Sequence, residues 1–180
     1  MQLFYHPHLD QSVSQFTFPE EESKHIVRVL RKKAGDTLTV TNGKGFLFES
    51  TIVSAEPKKC VAEVTSSEKQ HQKMHWFHMV VAPTKTNDRF EWFLEKSTEI
   101  GIDEITPIIT QHTERERIKK DRCNKIIISA MKQSLKFHKP KLNKAEYFDK
   151  FIQQPFIGEK YIAHCHNSAK EQLQNIDKNK

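Results

Sequence analysis

The sequence predicts an α/β protein in two parts: a small β-barrel carrying one helix, then a parallel sheet covered by helices on both faces. Three observations predict it. Residues 1–65 are dominated by short aromatic or alternating runs separated by turn residues, the pattern of a small β unit. From Trp76 onward, apolar runs alternate with segments whose apolar residues recur at three and four, which implies βα units and a parallel sheet. Between them Ser66 to Lys73 is wholly polar, so the boundary is placed there and the parts are 1–68 and 74–180.

Leu3-Phe4-Tyr5 and Phe16-Thr17-Phe18 read as the first strands. Pro19 followed by Glu20, Glu21 and Glu22 opens a helix. Acids suit its positive end, and Arg31, Lys32 and Lys33 close it before Gly35. Ile26, Val29 and Leu30 are its expected apolar stripe, with Arg28, Arg31 and Lys32 pointing away. Thr37 to Thr41 alternates with period two, and Asn42-Gly43 with Gly45 supplies hairpin chemistry. Phe46 to Val53 and Cys60 to Val64 follow, separated by Pro57.

In the second part Trp76 to Ala82 is a buried-type strand. Thr86 or Asn87 caps a helix whose Phe90, Phe93, Leu94 and Ser97 share a face, closed by Gly101. Glu104 to Ile109 is a second strand, and Cys123, Ile127, Ala130, Met131 and Ser134 mark the next helix. A helix over 145–153, a third strand over 160–164 and a last helical stretch over 168–176 complete the expectation. Ligands of such sheets bind beyond the strand C-termini. This half contains only Gly101 and Gly158, so no glycine-rich phosphate or nucleoside loop is written in it.

The 180 residues include 29 Lys and Arg against 23 Asp and Glu, a net charge of +6. No apolar run is long enough to span a bilayer and no signal peptide opens the chain, so a cytoplasmic protein with no membrane partner is expected. Cys60, Cys123 and Cys165 are odd in number and far apart, which excludes a disulfide framework. His71, His75 and His78, or His164 and His166, lack a complete ligand set, so no metal is expected.

The charge is uneven. Lys24 to Lys33 carries five cations and no acid, and Arg122 to Lys141 carries six and no acid. Two such blocks favour a polyanion, and structured RNA suits them better than a small acid. Lys85 lies in the loop after the first strand of the α/β half, where functional groups of this architecture collect. Arg89 falls in a helix's first turn, where a cation opposes the helix dipole and is poorly explained by stability. Lys96 and Glu99 read as a surface pair.

Three stretches resemble the RsmE-type 16S ribosomal RNA uridine methyltransferases of the SPOUT class. His25-Ile26-Val27-Arg28-Val29-Leu30-Arg31 with Gly35-Asp36 is similar to the signature of their N-terminal domain. Lys85 to Arg89 with Lys96-Ser97-Thr98-Glu99-Ile100-Gly101 is similar to the segment opening their methyltransferase domain. Ala130-Met131-Lys132-Gln133-Ser134 with Pro140 is similar to their long helix, with Lys136 where an arginine is usual.

The resemblance implies a PUA-like barrel joined to an α/β domain tied in a trefoil knot. It implies a homodimer acting on the small ribosomal subunit, with methyl passing from S-adenosylmethionine to uridine nitrogen 3 of 16S rRNA. Arg89, with Lys85 beside it, would stabilise the uracil anion or grip a flanking phosphate. His25, Arg28, Arg31, Lys32 and Lys33, with Lys132, Gln133 and Lys136, would contact RNA. The family's Gly-Pro-Glu-Gly-Gly loop and Leu-Arg-x-Glu-Thr-Ala segment, which form the knot and cradle the cofactor, have no counterpart here. A C-terminally truncated and inactive form is therefore expected, its cofactor residues unassigned. A non-enzymatic RNA-binding module and a ribosome-assembly partner are the alternative readings.

Overall fold

The computed structural model describes residues 2–71, 74–165 and 167. The first half is a five-stranded sheet in the order β1-β3-β4-β5-β2, built from β1 (Leu3–Tyr5), β2 (Gln15–Thr17), β3 (Thr37–Thr41), β4 (Phe46–Glu56) and β5 (Lys59–Lys69). β1 runs parallel to β3 and the other pairs are antiparallel. The sheet curls so that its edge strands meet. His6, just past β1, bonds the carbonyl of Thr17 through Nε2 at 3.2 Å and packs edge-on against Phe16 and Phe18. Phe18, Phe48, Leu9, Ile26 and Leu38 fill the interior.

β5 runs through Lys69, so Ser66 to Lys69 is strand where the polar composition predicts linker. These residues pair with Phe46 to Glu49. The long hairpin carries its backbone hydrogen bonds outward whether or not the side chains are buried, and the charged Glu68 and Lys69 suit an exposed edge.

The first helix is shorter than expected and changes pitch. α1 (Glu20–Lys24) continues as a π-helical turn over His25–Val29, with Leu30 N–H donating to the His25 carbonyl. The wider turn rotates the buried face. Ile26 stays buried with Val27 and Leu30 against it, while Val29, expected in the stripe, is 66% exposed.

The second half is a parallel sheet of β6 (His78–Val81), β7 (Glu104–Ile109), β8 (Lys141–Leu142) and β9 (Glu146–Tyr147). α2 (Asn87–Ile100) and α3 (Lys120–Gln133) bury Phe90, Leu94, Cys123 and Ile127 against Ile105 and Leu142. Gly101 ends α2 in the left-handed region at φ 102°.

The third strand lies earlier than expected. Residues 160–164 have no regular structure, and the sheet is completed instead by 141–147. Lys141 faces Glu104 and Glu146 faces Ile108, so this stretch has one residue more than β7 and bulges between. That pairing takes Glu146 and Tyr147 into the sheet and leaves only α4 (Phe148–Ile152) of the expected helix. The helix expected over 168–176 lies outside the described residues. Among the described residues no helix is long and apolar enough to cross a membrane.

The halves are joined by backbone. Gly45 N–H donates to the Phe137 carbonyl at 2.9 Å and Lys139 N–H to the Gly43 carbonyl at 2.8 Å. Gly45 has φ +88°, and a β-carbon there would overlap the His138 ring. The glycines read as hairpin chemistry thus also allow the close approach of the 137–139 strap.

Candidate functional site

The C-terminal ends of β6 and β7 open onto two loops, 82–86 and 110–119. Parallel strands followed by helices bring both loops to one edge of the sheet, where such folds hold ligands. Lys85 lies there, its Nζ 2.9 Å from Glu114 Oε2. Next to that pair, the Arg115 guanidinium donates to Asn87 Oδ1, at the start of α2. Arg89 stands exposed in the first turn of α2, with no ion-pair partner among the described residues. The start of α2 at this edge thus carries Lys85 just before it and Arg89 in its first turn.

That site includes residues the sequence reading passed over. Arg115, Arg117 and Lys119 line a narrow cleft with Pro83, Asn87 and Phe90. The readable signal is the alternation of the cations Arg115, Arg117 and Lys119 in the stretch between β7 and α3. Arg122 grips Glu91 with Nε and Nη2, at 2.6 and 2.8 Å. Cys123 lies under the cleft, its thiol pushed up first by burial and then by Glu91, which suits a core residue and not a nucleophile.

The basic blocks look different in space. In the second, Arg122, Lys125, Lys132 and Lys141 pair with Glu91, Glu21, Glu22 and Glu104. A run without acids in sequence is thus not without acids in the fold. Lys132 in particular, expected to face RNA, has its ammonium 3.0 Å from Glu22 Oε1 across the domain junction. Gln133 is exposed and Lys136 half-buried.

In the first block Lys24 pairs with Glu20, while Arg28, Arg31 and Lys33 are exposed. His25 is half-buried beside Gln2, and Lys32 donates to the Thr37 carbonyl at 3.3 Å. Arg31 adopts φ 55°, a left-handed conformation usual for glycine. Glu21 and Glu22 meet α3, and Arg31 lies past the far end of the π-helical turn from that junction.

Of His71, His75 and His78, the last is held inside the α/β half. His78 Nε2 lies 2.7 Å from Thr106 Oγ1, and Asn143 donates to both Thr106 and Glu104 at 2.7 Å. Burial holds His78 below its ordinary value; the Glu104 charge opposes this shift and the Lys141 charge adds to it. Burial pushes the Glu104 carboxyl up, but hydrogen bonds from Lys141 and Asn143 and the charges of His78 and Lys141 outweigh it and hold it below the ordinary range.

An RNA methyltransferase domain model matches residues 70–180 and an RNA methyltransferase PUA domain model matches residues 18–65. Ribosomal RNA small subunit methyltransferase E of Bacillus subtilis is 22% identical over 162 residues, 87% of this chain and 63% of that protein. The chain thus spans less than two thirds of that curated relative. A probable rRNA-methyltransferase from Porphyromonas gingivalis superposes with a TM-score of 0.78 at 38% identity, covering 88% of this chain and 70% of that one. A ribosomal RNA small subunit methyltransferase E from Neisseria gonorrhoeae bound to S-adenosyl methionine shares the fold with a TM-score of 0.75 at 23% identity, covering 86% and 66%. With both domain models matched in order, and structural relatives that include rRNA methyltransferases, the chain belongs to the RNA methyltransferase family.

Proposed function

We propose that this chain is the RNA-gripping part of an S-adenosylmethionine-dependent methyltransferase acting on nitrogen 3 of a uridine in 16S rRNA of the small ribosomal subunit. The observation that carries this reading is the meeting of the two edge loops at the C-terminal end of the sheet, where Lys85 pairs with Glu114 and Arg115 bonds Asn87, two residues before Arg89. The proposed assembly is a homodimer.

The uridine nitrogen holds a weakly acidic proton, so its attack needs the developing uracil anion stabilised. Arg89 is assigned that role, with Lys85 held beside it by Glu114. Arg28, Arg31 and Lys33 of the barrel, aided by His25 and Lys32, are assigned phosphates further along the same RNA, and Gln133 and Lys136 the α3 side. Lys132 supports that surface through its Glu22 pair.

Neither edge loop contains a glycine to cradle the methyl donor, and the cleft between them is narrow. No cofactor residue is assigned, and the residues here bind and orient RNA. Calorimetric titration with S-adenosylmethionine tests this division. Little or no heat is expected from this chain, and tight binding would contradict it. The enzyme reading itself is tested by nucleoside analysis of 16S rRNA from cells with and without the gene. Loss of 3-methyluridine is expected on deletion; an unchanged level would favour a non-enzymatic RNA-binding module.

A further inference from the structure

We propose that Arg115, Arg117 and Lys119 form a subsite for one phosphodiester of the RNA, beside the place where Arg89 meets the target base. The proposal rests on the RNA methyltransferase reading above and names how the strand is held there.

Arg115 is the anchored member. It is half-buried, and its bond to Asn87, next to the Lys85–Glu114 pair, ties the 110–119 loop to the start of α2 at two adjacent points. An arginine has five N–H donors in a fixed fork, so a guanidinium held by one acceptor still presents the others. Arg117 and Lys119 are exposed, with no ion-pair partner among the described residues. Their neighbour Arg122 is fully engaged by Glu91.

Of the loop's own carboxylates, Glu114 is taken by Lys85 and Glu116 is exposed. Positive charge is therefore left over at this point. Helix stability does not explain it, because Lys119 and Lys120 sit at the start of α3, where cations oppose the dipole. The cleft is floored by Pro83, Phe90 and Ile118. It is too narrow for a nucleoside and suits the oxygens of a single phosphate. An apolar floor lowers the local dielectric and strengthens charged hydrogen bonds to that group.

The test is fluorescence anisotropy of a labelled 16S rRNA hairpin across a salt series, with the full chain. Arg117→Gln/Lys119→Gln should weaken binding several-fold and flatten the log–log salt slope by roughly one unit, the contribution of about one phosphate contact. Lys58→Gln/Lys59→Gln removes the same charge at the exposed β4–β5 turn and should leave the slope unchanged. If the unmodified chain binds no RNA, the RNA reading fails and takes the subsite with it. If it binds and the Arg117/Lys119 variant keeps the full slope, the subsite alone is overturned. A parallel thermal shift with millimolar inorganic phosphate separates a free-anion site. Phosphate stabilisation lost in the variant while RNA binding is unmoved would also overturn the proposal.

Discussion

The Lys132 ammonium, at 26% side-chain exposure, and the Glu22 carboxylate, at 18%, meet at 3.0 Å and join the long helix of one domain to the acidic first turn of the other. Glu21 and Lys125 add a looser pair at 3.7 Å. Glu21 and Glu22 thus do more than complement a helix dipole. They give the α/β half a matching surface.

Removing one partner strands the other in a poorly hydrated place. Lys132→Ala should lower stability by about 1–3 kcal/mol in denaturant unfolding. Lys132→Gln/Glu22→Gln, which removes both charges, should recover most of it.

The strap between the domains gives a second expectation. Gly45→Ala forces a side chain into the left-handed region and into the His138 ring, and should cost about 1–3 kcal/mol in thermal or urea unfolding. Gly35→Ala has the same kind of backbone conformation with open space around it. It should cost about 1 kcal/mol, so the difference measures the close approach alone.

Arg31 occupies a conformation that glycine adopts more easily. Arg31→Gly should raise stability by about 0.5–1 kcal/mol while weakening RNA binding. A variant both more stable and equally tight would remove Arg31 from the interface.

Acid should destabilise the chain. His78 is held below its ordinary 6.5, chiefly by burial, and His6 likewise, against the Thr17 carbonyl that opposes the shift. The unfolded chain then binds more protons, so stability is complete above about pH 6.5 and falls as pH drops through the folded values. Glu104, held below its ordinary 4.5, adds a second loss at lower pH. Melting temperatures between pH 7 and 5 should fall, and His78→Gln should reduce that slope.

Much of this was legible in sequence. Phe46 to Val53 and the 87–100 helix follow their periodicity, and Gly101 ends that helix as expected. The failures have physical causes. A π turn moved Val29 out of the core, a shift no 3.6-residue wheel shows. Ser66 to Lys69 extended a hairpin because backbone pairing needs no apolar side chain. Lys132 looked free because its partner lies 110 positions away. The place of Lys85 after a strand was readable, whereas Glu114 beside it and Arg115 beside Asn87 needed the fold to bring them there.

The central claim is that the two edge loops and the first helix grip one RNA. Photocrosslinking of 4-thiouridine-substituted 16S rRNA to this chain, with peptide mapping by mass spectrometry, tests it most directly. Crosslinks in 83–89, in 110–119 and around 28–33 are the expected result. Crosslinks confined to the barrel, with none at the sheet edge, would contradict it.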